Sequence, residues 1–149
     1  MSDRVQRLID EADIRDLILR FALALDAKDW RAYAETFAPD AVFEIMGQRR
    51  TGRDAIAAGP ERDLLRYDRL QHVVANQVVH VDGDIAHGGW YVIAIHVPDG
   101  GTPDRHADAG ARYRFVARRT GEDWHFSEVV LEMVWTAGME FRIEDEPEA

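Results

Sequence analysis

The hydrophobic period changes partway along this chain, and that change restricts the fold more than any other feature. From Ile14, the residues Leu17, Ile18, Phe21, Ala22 and Leu25 recur at spacings of three and four, the single apolar stripe of a buried helix. Val5, Leu8, Ile9 and Ala12 extend it backwards by a turn or two. Asp29 reads as the N-cap of a second helix with Trp30, Tyr33, Ala34 and Phe37 inward. Ala38-Pro39-Asp40 ends it, because proline disfavours helical geometry in the residue before it.

From residue 71 the period is two. Residues 71–81 alternate and are rich in valine, Asp82-Gly83 is a two-residue hairpin signal, and 85–97 is the return strand. Residues 108–119 and 123–135 form a second long hairpin around Thr120-Gly121-Glu122. Between the halves, 41–46 is a short β-like run, and Gly47-Gln48 turns into 49–51. Gly52-Arg53-Asp54-Ala55-Ile56 then opens another short helix, and 59–70 is open between helix and loop. Residues 98–106, rich in Gly, Pro and Asp, read as an exposed loop, and the acidic tail 144–149 as frayed.

Helices first and long strands afterwards specify α+β rather than a parallel α/β fold. The expected architecture is a curved antiparallel sheet wrapped around the N-terminal helices, with a pocket wherever the helices leave the concavity unfilled. No linker or repeat divides the 149 residues, so residues 1–149 are expected to form one domain with a core of about 5–135.

The absence of cysteine excludes disulfides, thiolate metal sites and a Cys nucleophile. A formal net charge of −10 argues against binding nucleic acid, which needs clustered Lys and Arg. The basic pairs Arg49-Arg50 and Arg118-Arg119 read as solvated strand faces. No run is apolar and long enough to span a bilayer, and the start has no signal-like apolar stretch, so a cytoplasmic location and no membrane partner are expected.

Two residues stand out chemically. Asp26 projects from the edge of the apolar stripe toward the core, near a helix C-terminus where the helix dipole disfavours negative charge. It is either solvated in the bend before Lys28-Asp29 or paired. His72 opens a strand that is largely apolar on both faces, which reads as central in the sheet. Alone it is a structural or a catalytic histidine. Together they are an Asp that fixes the tautomer of an imidazole and makes its other nitrogen a general base.

The run Ile14-Arg15-Asp16-Leu17 through Ala24-Leu25-Asp26, with Asp29-Trp30, Phe37-Ala38-Pro39-Asp40-Ala41-Val42-Phe43 and Gly52-Arg53-Asp54-Ala55-Ile56, resembles the SnoaL-like branch of the nuclear transport factor 2 superfamily. His72-x-x-x-Asn76, Val81-Asp82-Gly83-Asp84 and Gly121-Glu122-Asp123-Trp124 follow in the same order, so the resemblance covers about residues 5–135. It implies a cone-shaped fold with a pocket between helices and sheet, among relatives that include polyketide cyclases, dehydratases, a dehydrochlorinase, isomerases and dioxygenase small subunits. In the dehydratase-like and dehydrochlorinase-like members an Asp at the end of the first helix orients a strand His, and these positions match Asp26 and His72. The chain departs at Phe21, where the dehydrochlorinase has a Lys and a dehydratase-like member a Tyr, and at Val129, in place of an Arg. Halide elimination is therefore not expected.

A two-residue Asp82-Gly83 turn would pair His72 with Ile93 and bring Tyr91, Gly89 and His87 onto its face. Tyr91 is then a candidate proton donor, with Tyr33, Tyr67 and Tyr113 behind it, and each tyrosine is alternatively plain core. Asn76 is a candidate for a substrate carbonyl or hydroxyl, or else satisfies backbone near a bulge. Phe21 and the row Val129, Leu131, Met133 and Trp135 would supply an apolar wall. His80, His87, His96, His106 and His125 have no metal-ligand spacing, so no metal and no cofactor are expected. The reading is a cofactor-independent lyase or isomerase with an Asp26–His72 dyad acting on a small hydrophobic or aromatic molecule. The alternative is a non-catalytic small-molecule-binding protein or the small subunit of a ring-hydroxylating dioxygenase. The family's sheet faces imply a homodimer or homotrimer.

Overall fold

The computed structural model describes residues 3–98 and 103–139; the acidic tail and part of the 98–106 loop lie outside the described residues. The apolar stripe and its extension form one helix, α1 (Asp3–Asp26), followed by α2 (Trp30–Glu35), which Asp29 caps by accepting the Ala32 N–H at 3.0 Å. Then come β1 (Phe37–Ile45), β2 (Gln48–Thr51), α3 (Arg53–Leu64), β3 (Arg69–Asp82), β4 (Ile85–Val97), β5 (Ala107–Thr120) and β6 (Asp123–Gly138). The segment left open by the sequence pattern, 59–70, is helix as far as Leu64, although this part carries Pro60, and its last two residues already belong to β3.

The six strands form one sheet in the order β2-β1-β6-β5-β4-β3. It is mixed rather than wholly antiparallel, because β1 enters beside β6 in parallel register, Phe43 opposite Val129. Two long hairpins place their inward residues against α1, and a single aromatic cluster fills the centre. Phe21 is its hub: the rings of Tyr33, Phe37, Trp90, Tyr113 and Phe126 all have centroids within 6.0 Å of it. Asp10, buried on α1, is held by Arg119 at 2.7 Å, so the Arg118-Arg119 pair is not simply solvated.

Two features of β3 differ from the expectation and a third decides between alternatives left open, each for a local reason. The strand lies at the sheet edge rather than in the centre, and α1 packs against it there. Both of its faces are apolar because the inner one meets the core, while the outer one belongs to an exposed apolar surface that includes Val73, Val78, Tyr91 and Ile93. The hairpin turn is Gly83-Asp84, with Asp82 opposite Ile85 and Gly83 at φ 60°. Glycine therefore takes the first central position, as in a type II′ turn, instead of the second position of an Asp-Gly type I′ turn. Finally, Asn76 (φ 51°) sits where the β3–β4 register shifts between Ala75 and Val78. That bulge reverses the alternation, turning Val78 and His80 outward and Val79 inward.

Candidate active site

An edge strand has backbone donors without a neighbouring strand, and here one of them finds a carboxylate. Asp26, the last residue of α1, accepts the His72 backbone N–H on both oxygens, at 3.0 and 3.1 Å. The same carboxylate lies 2.7 Å from Nδ1 of the His72 ring. A carboxylate accepts, so Nδ1 is the donor, and in the neutral ring this leaves Nε2 with its lone pair. These donors also offset the unfavourable position of Asp26 at the C-terminal end of the α1 dipole. The His72 side chain is only 7% exposed and lies on the wall of a cavity.

That cavity, about 80 Å³, sits between α1, α2, α3 and the concave sheet. Leu25, Phe43, Ile45, Val92, Leu131 and Met133 make its wall apolar. The polar groups that reach it are Tyr33, Arg50, Asp63, His72, His96 and Tyr113. Burial raises Tyr33 well above the usual tyrosine range, with Tyr113 adding to the rise and Arg50 opposing it; burial likewise raises Tyr113. Both phenols are therefore neutral O–H donors at physiological pH.

His96 stands beside the base, its ring edge-on to His72 at 5.8 Å between centroids. Its Nδ1 lies 2.9 Å from the carbonyl of Ala107, an acceptor only, so that nitrogen also carries the proton. Burial lowers its pKa to about 4, with the Ala107 hydrogen bond opposing and the neighbouring His72 adding to the fall. At neutral pH His96 is uncharged and places no cation beside His72.

The structure brings together Asp26, His72, Tyr33, Tyr113, Leu131 and Met133 of the residues singled out from sequence. It does not bring the others to the wall. Tyr91 points to the outer face, 45% exposed, because the true register pairs His72 with Ala94 instead of Ile93. Asn76 is spent on the exposed bulge. Phe21 is the hub of the aromatic core and Val129 is fully buried, so both support the wall from beneath. Tyr67 is buried against His96, with ring centroids 5.0 Å apart. Trp135 lies outward, since a shift between Gly110 and Ala111 breaks the apolar row of β6.

Sequence reasoning missed Arg50, Asp63 and His96. Arg50 is not on a solvated face: its side chain is 3% exposed and faces Asp63, itself 7% exposed, at 3.4 Å. A four-residue polar strand gives no alternation from which this could be read. His96 was legible as an inward residue only once the β3–β4 register was known. Among the described residues no cluster of three or more His, Asp or Glu could hold a metal ion, and no helix is long and apolar enough to cross a membrane.

Residues 6–130 match the model of the SnoaL-like domain. No curated protein matches the sequence significantly. Among solved structures, a provisionally assigned scytalone dehydratase from Novosphingobium aromaticivorans DSM 12444 is 20% identical, with a TM-score of 0.82 over 92% of this chain and 92% of that one. The hexachlorocyclohexane dehydrochlorinase LinA-type3 from Novosphingobium barchaimii LL02 is 19% identical, with a TM-score of 0.79 over 97% of this chain and 100% of the other. A provisionally assigned aromatic ring hydroxylase from Novosphingobium aromaticivorans is 27% identical, with a TM-score of 0.79 over 89% and 94%.

Proposed function

The chain belongs to the SnoaL-like domain family, and on that premise we propose that it is a cofactor-independent lyase or isomerase using His72 as general base and Asp26 as the residue that positions it. The observation that carries this reading is the double hold of Asp26 on His72, through backbone N–H and Nδ1, beside a mostly apolar cavity. His72 Nε2 takes a proton from a carbon next to a carbonyl. The C–H electron pair moves onto the carbonyl oxygen, which Tyr33 or Tyr113 stabilises by donating a hydrogen bond. In a dehydration, the pair then returns to expel a β-hydroxyl, which leaves as water with the proton held by His72. In an isomerisation, the proton returns to a different carbon. The fold shared with a dehydratase and a dehydrochlorinase supports this chemistry, with Phe21 and Val129 in place of cations arguing against halide loss.

Base function is testable before the substrate is known. A panel of ring ketones and β-hydroxy ketones is incubated in D₂O and exchange at the acidic carbon is read by NMR. The wild type is expected to exchange at least one member, and His72→Ala to lose about 100-fold or more of that rate. Wild-type exchange in both His72→Ala and Asp26→Asn would remove the dyad from catalysis. The likeness to the ring hydroxylase favours one second reading, a non-catalytic subunit of an oxygenase, which would show no exchange and co-purify with a larger chain. A homo-oligomer through the outer sheet face is part of the proposal, supported by the exposed Val73, Tyr91, Ile93, Val134 and Trp135 that share that surface. A cytoplasmic location is also proposed.

A further inference from the structure

The guanidinium of Arg50 is a permanent cation in a mostly apolar wall, and the one carboxylate beside it there, Asp63, does not neutralise it fully. Its two side-chain partners are distant for hydrogen bonds to a charged group: Gln48 Oε1 at 3.3 Å and Asp63 Oδ2 at 3.4 Å, where charge-assisted pairs usually lie near 2.7–2.9 Å. Asp63 is shared, since its other oxygen accepts from Arg62 at 3.2 Å. Arg50 Nε is buried and has no hydrogen-bond partner among the described residues. A buried charge left in this state is costly unless a further partner arrives.

The chain also gives up local helix stability to admit the group. Gly59 lies inside α3, where glycine is the poorest helix former apart from proline. A Cβ at this position would fall 1.8 Å from Arg50 Nη1 and 2.2 Å from Cζ. The glycine is the seat of the guanidinium, so the placement of Arg50 is built from β2 and α3 together.

We infer that Arg50 is a specificity-determining residue that anchors a carboxylate of the substrate at the end of the pocket formed by β2 and α3, leaving the apolar body of the molecule against His72. The planar fork of an arginine matches a carboxylate with two parallel N–H donations, which a neutral or ammonium group would not receive. The substrate class is then a small apolar acid with an acidic C–H. The inference rests on the proposed cavity being the substrate site, but not on His72 being a base.

The test is binding of paired ligands to the full-length protein by calorimetry: benzoate against benzamide, and cyclohexanecarboxylate against its amide. In the wild type, at least one acid is expected to bind tenfold or more tightly than its amide. Arg50→Met, similar in volume, is expected to erase that preference while the amide binds as before. His72→Ala is expected to keep the preference even if it abolishes proton exchange, which separates this inference from the dyad. Should Arg50→Met fail to fold, Gly59→Ala displaces the guanidinium sterically and is expected to reduce the preference in the same direction. No acid preference in the wild type, no acid binding at 10 mM across the panel (a test concentration on the order of a weak fragment's affinity), or a preference unchanged by these substitutions would overturn the assignment.

Discussion

Acidification should unfold this protein partly through one residue that does no proposed chemistry. His96 is 2% exposed, donates Nδ1–H to the Ala107 carbonyl and has its pKa lowered to about 4, chiefly by burial. In the unfolded chain the ring titrates near 6.5. The unfolded state therefore binds a proton at a higher pH than the folded state does. Stability from this group is complete above about 6.5 and is lost as pH falls from there toward 4. The fall of about two and a half units, at about 1.4 kcal/mol per unit, amounts to about 3 kcal/mol. Carboxylates contribute to acid unfolding as well, so the assay is a difference. His96→Asn keeps an N–H donor near the position of Nδ1 and cannot titrate. Urea unfolding of both proteins at intervals from pH 8 to pH 4 gives two stability curves. The wild-type advantage is expected to be flat at high pH and to shrink by about 3 kcal/mol on approaching pH 4. A gap that stays constant over this range would refute the reasoning.

Gly88→Ala should cost about 2–3 kcal/mol in urea unfolding, because its Cβ would lie 1.9 Å from the Val78 carbonyl oxygen, a backbone atom that cannot move aside cheaply; a loss below about 0.5 kcal/mol would contradict the register. Asn76→Gly is expected to be near neutral and Asn76→Val to destabilise by about 1–2 kcal/mol, since a β-branched residue resists φ 51°; neither should change ligand affinity by calorimetry. Ile93→Glu, on the exposed sheet face, should dissociate an oligomer in sedimentation velocity without altering the circular dichroism; an unchanged sedimentation coefficient would place any interface elsewhere.

The helices and hairpins were legible because their periods depend on nearest neighbours along the chain. The 3.6-residue stripe from Ile14 to Leu25 needed no knowledge of the sheet, and it became the buried face of α1. Asp26 and His72 were also visible, as polar residues in apolar company. What failed depended on single residues of register. Reading Asp82-Gly83 as the turn, instead of Gly83-Asp84, displaced the β3–β4 pairing by two positions, which by itself keeps each side chain on its face. The bulge at Asn76 then shifts the pairing back by one, so that Ala75 meets Tyr91, and this single residue puts Tyr91 on the outer face; no hydrophobic pattern announces it. Arg50 was illegible for another reason: its burial is decided by Asp63 and by the missing side chain of Gly59, both on α3. The parallel entry of β1 beside β6 likewise follows from packing between distant segments.

The most direct test of the account is the tautomer of His72, read by long-range ¹H–¹⁵N correlation at pH 8 in protein labelled on its imidazole nitrogens. With Asp26 Oδ1 2.7 Å from Nδ1, the account predicts a protonated Nδ1 with a strongly downfield proton and an unprotonated Nε2. Asp26→Asn should abolish the downfield proton and release the tautomer. A wild-type His72 that carries its proton on Nε2, or one whose spectrum is unchanged in Asp26→Asn, would contradict the central claim.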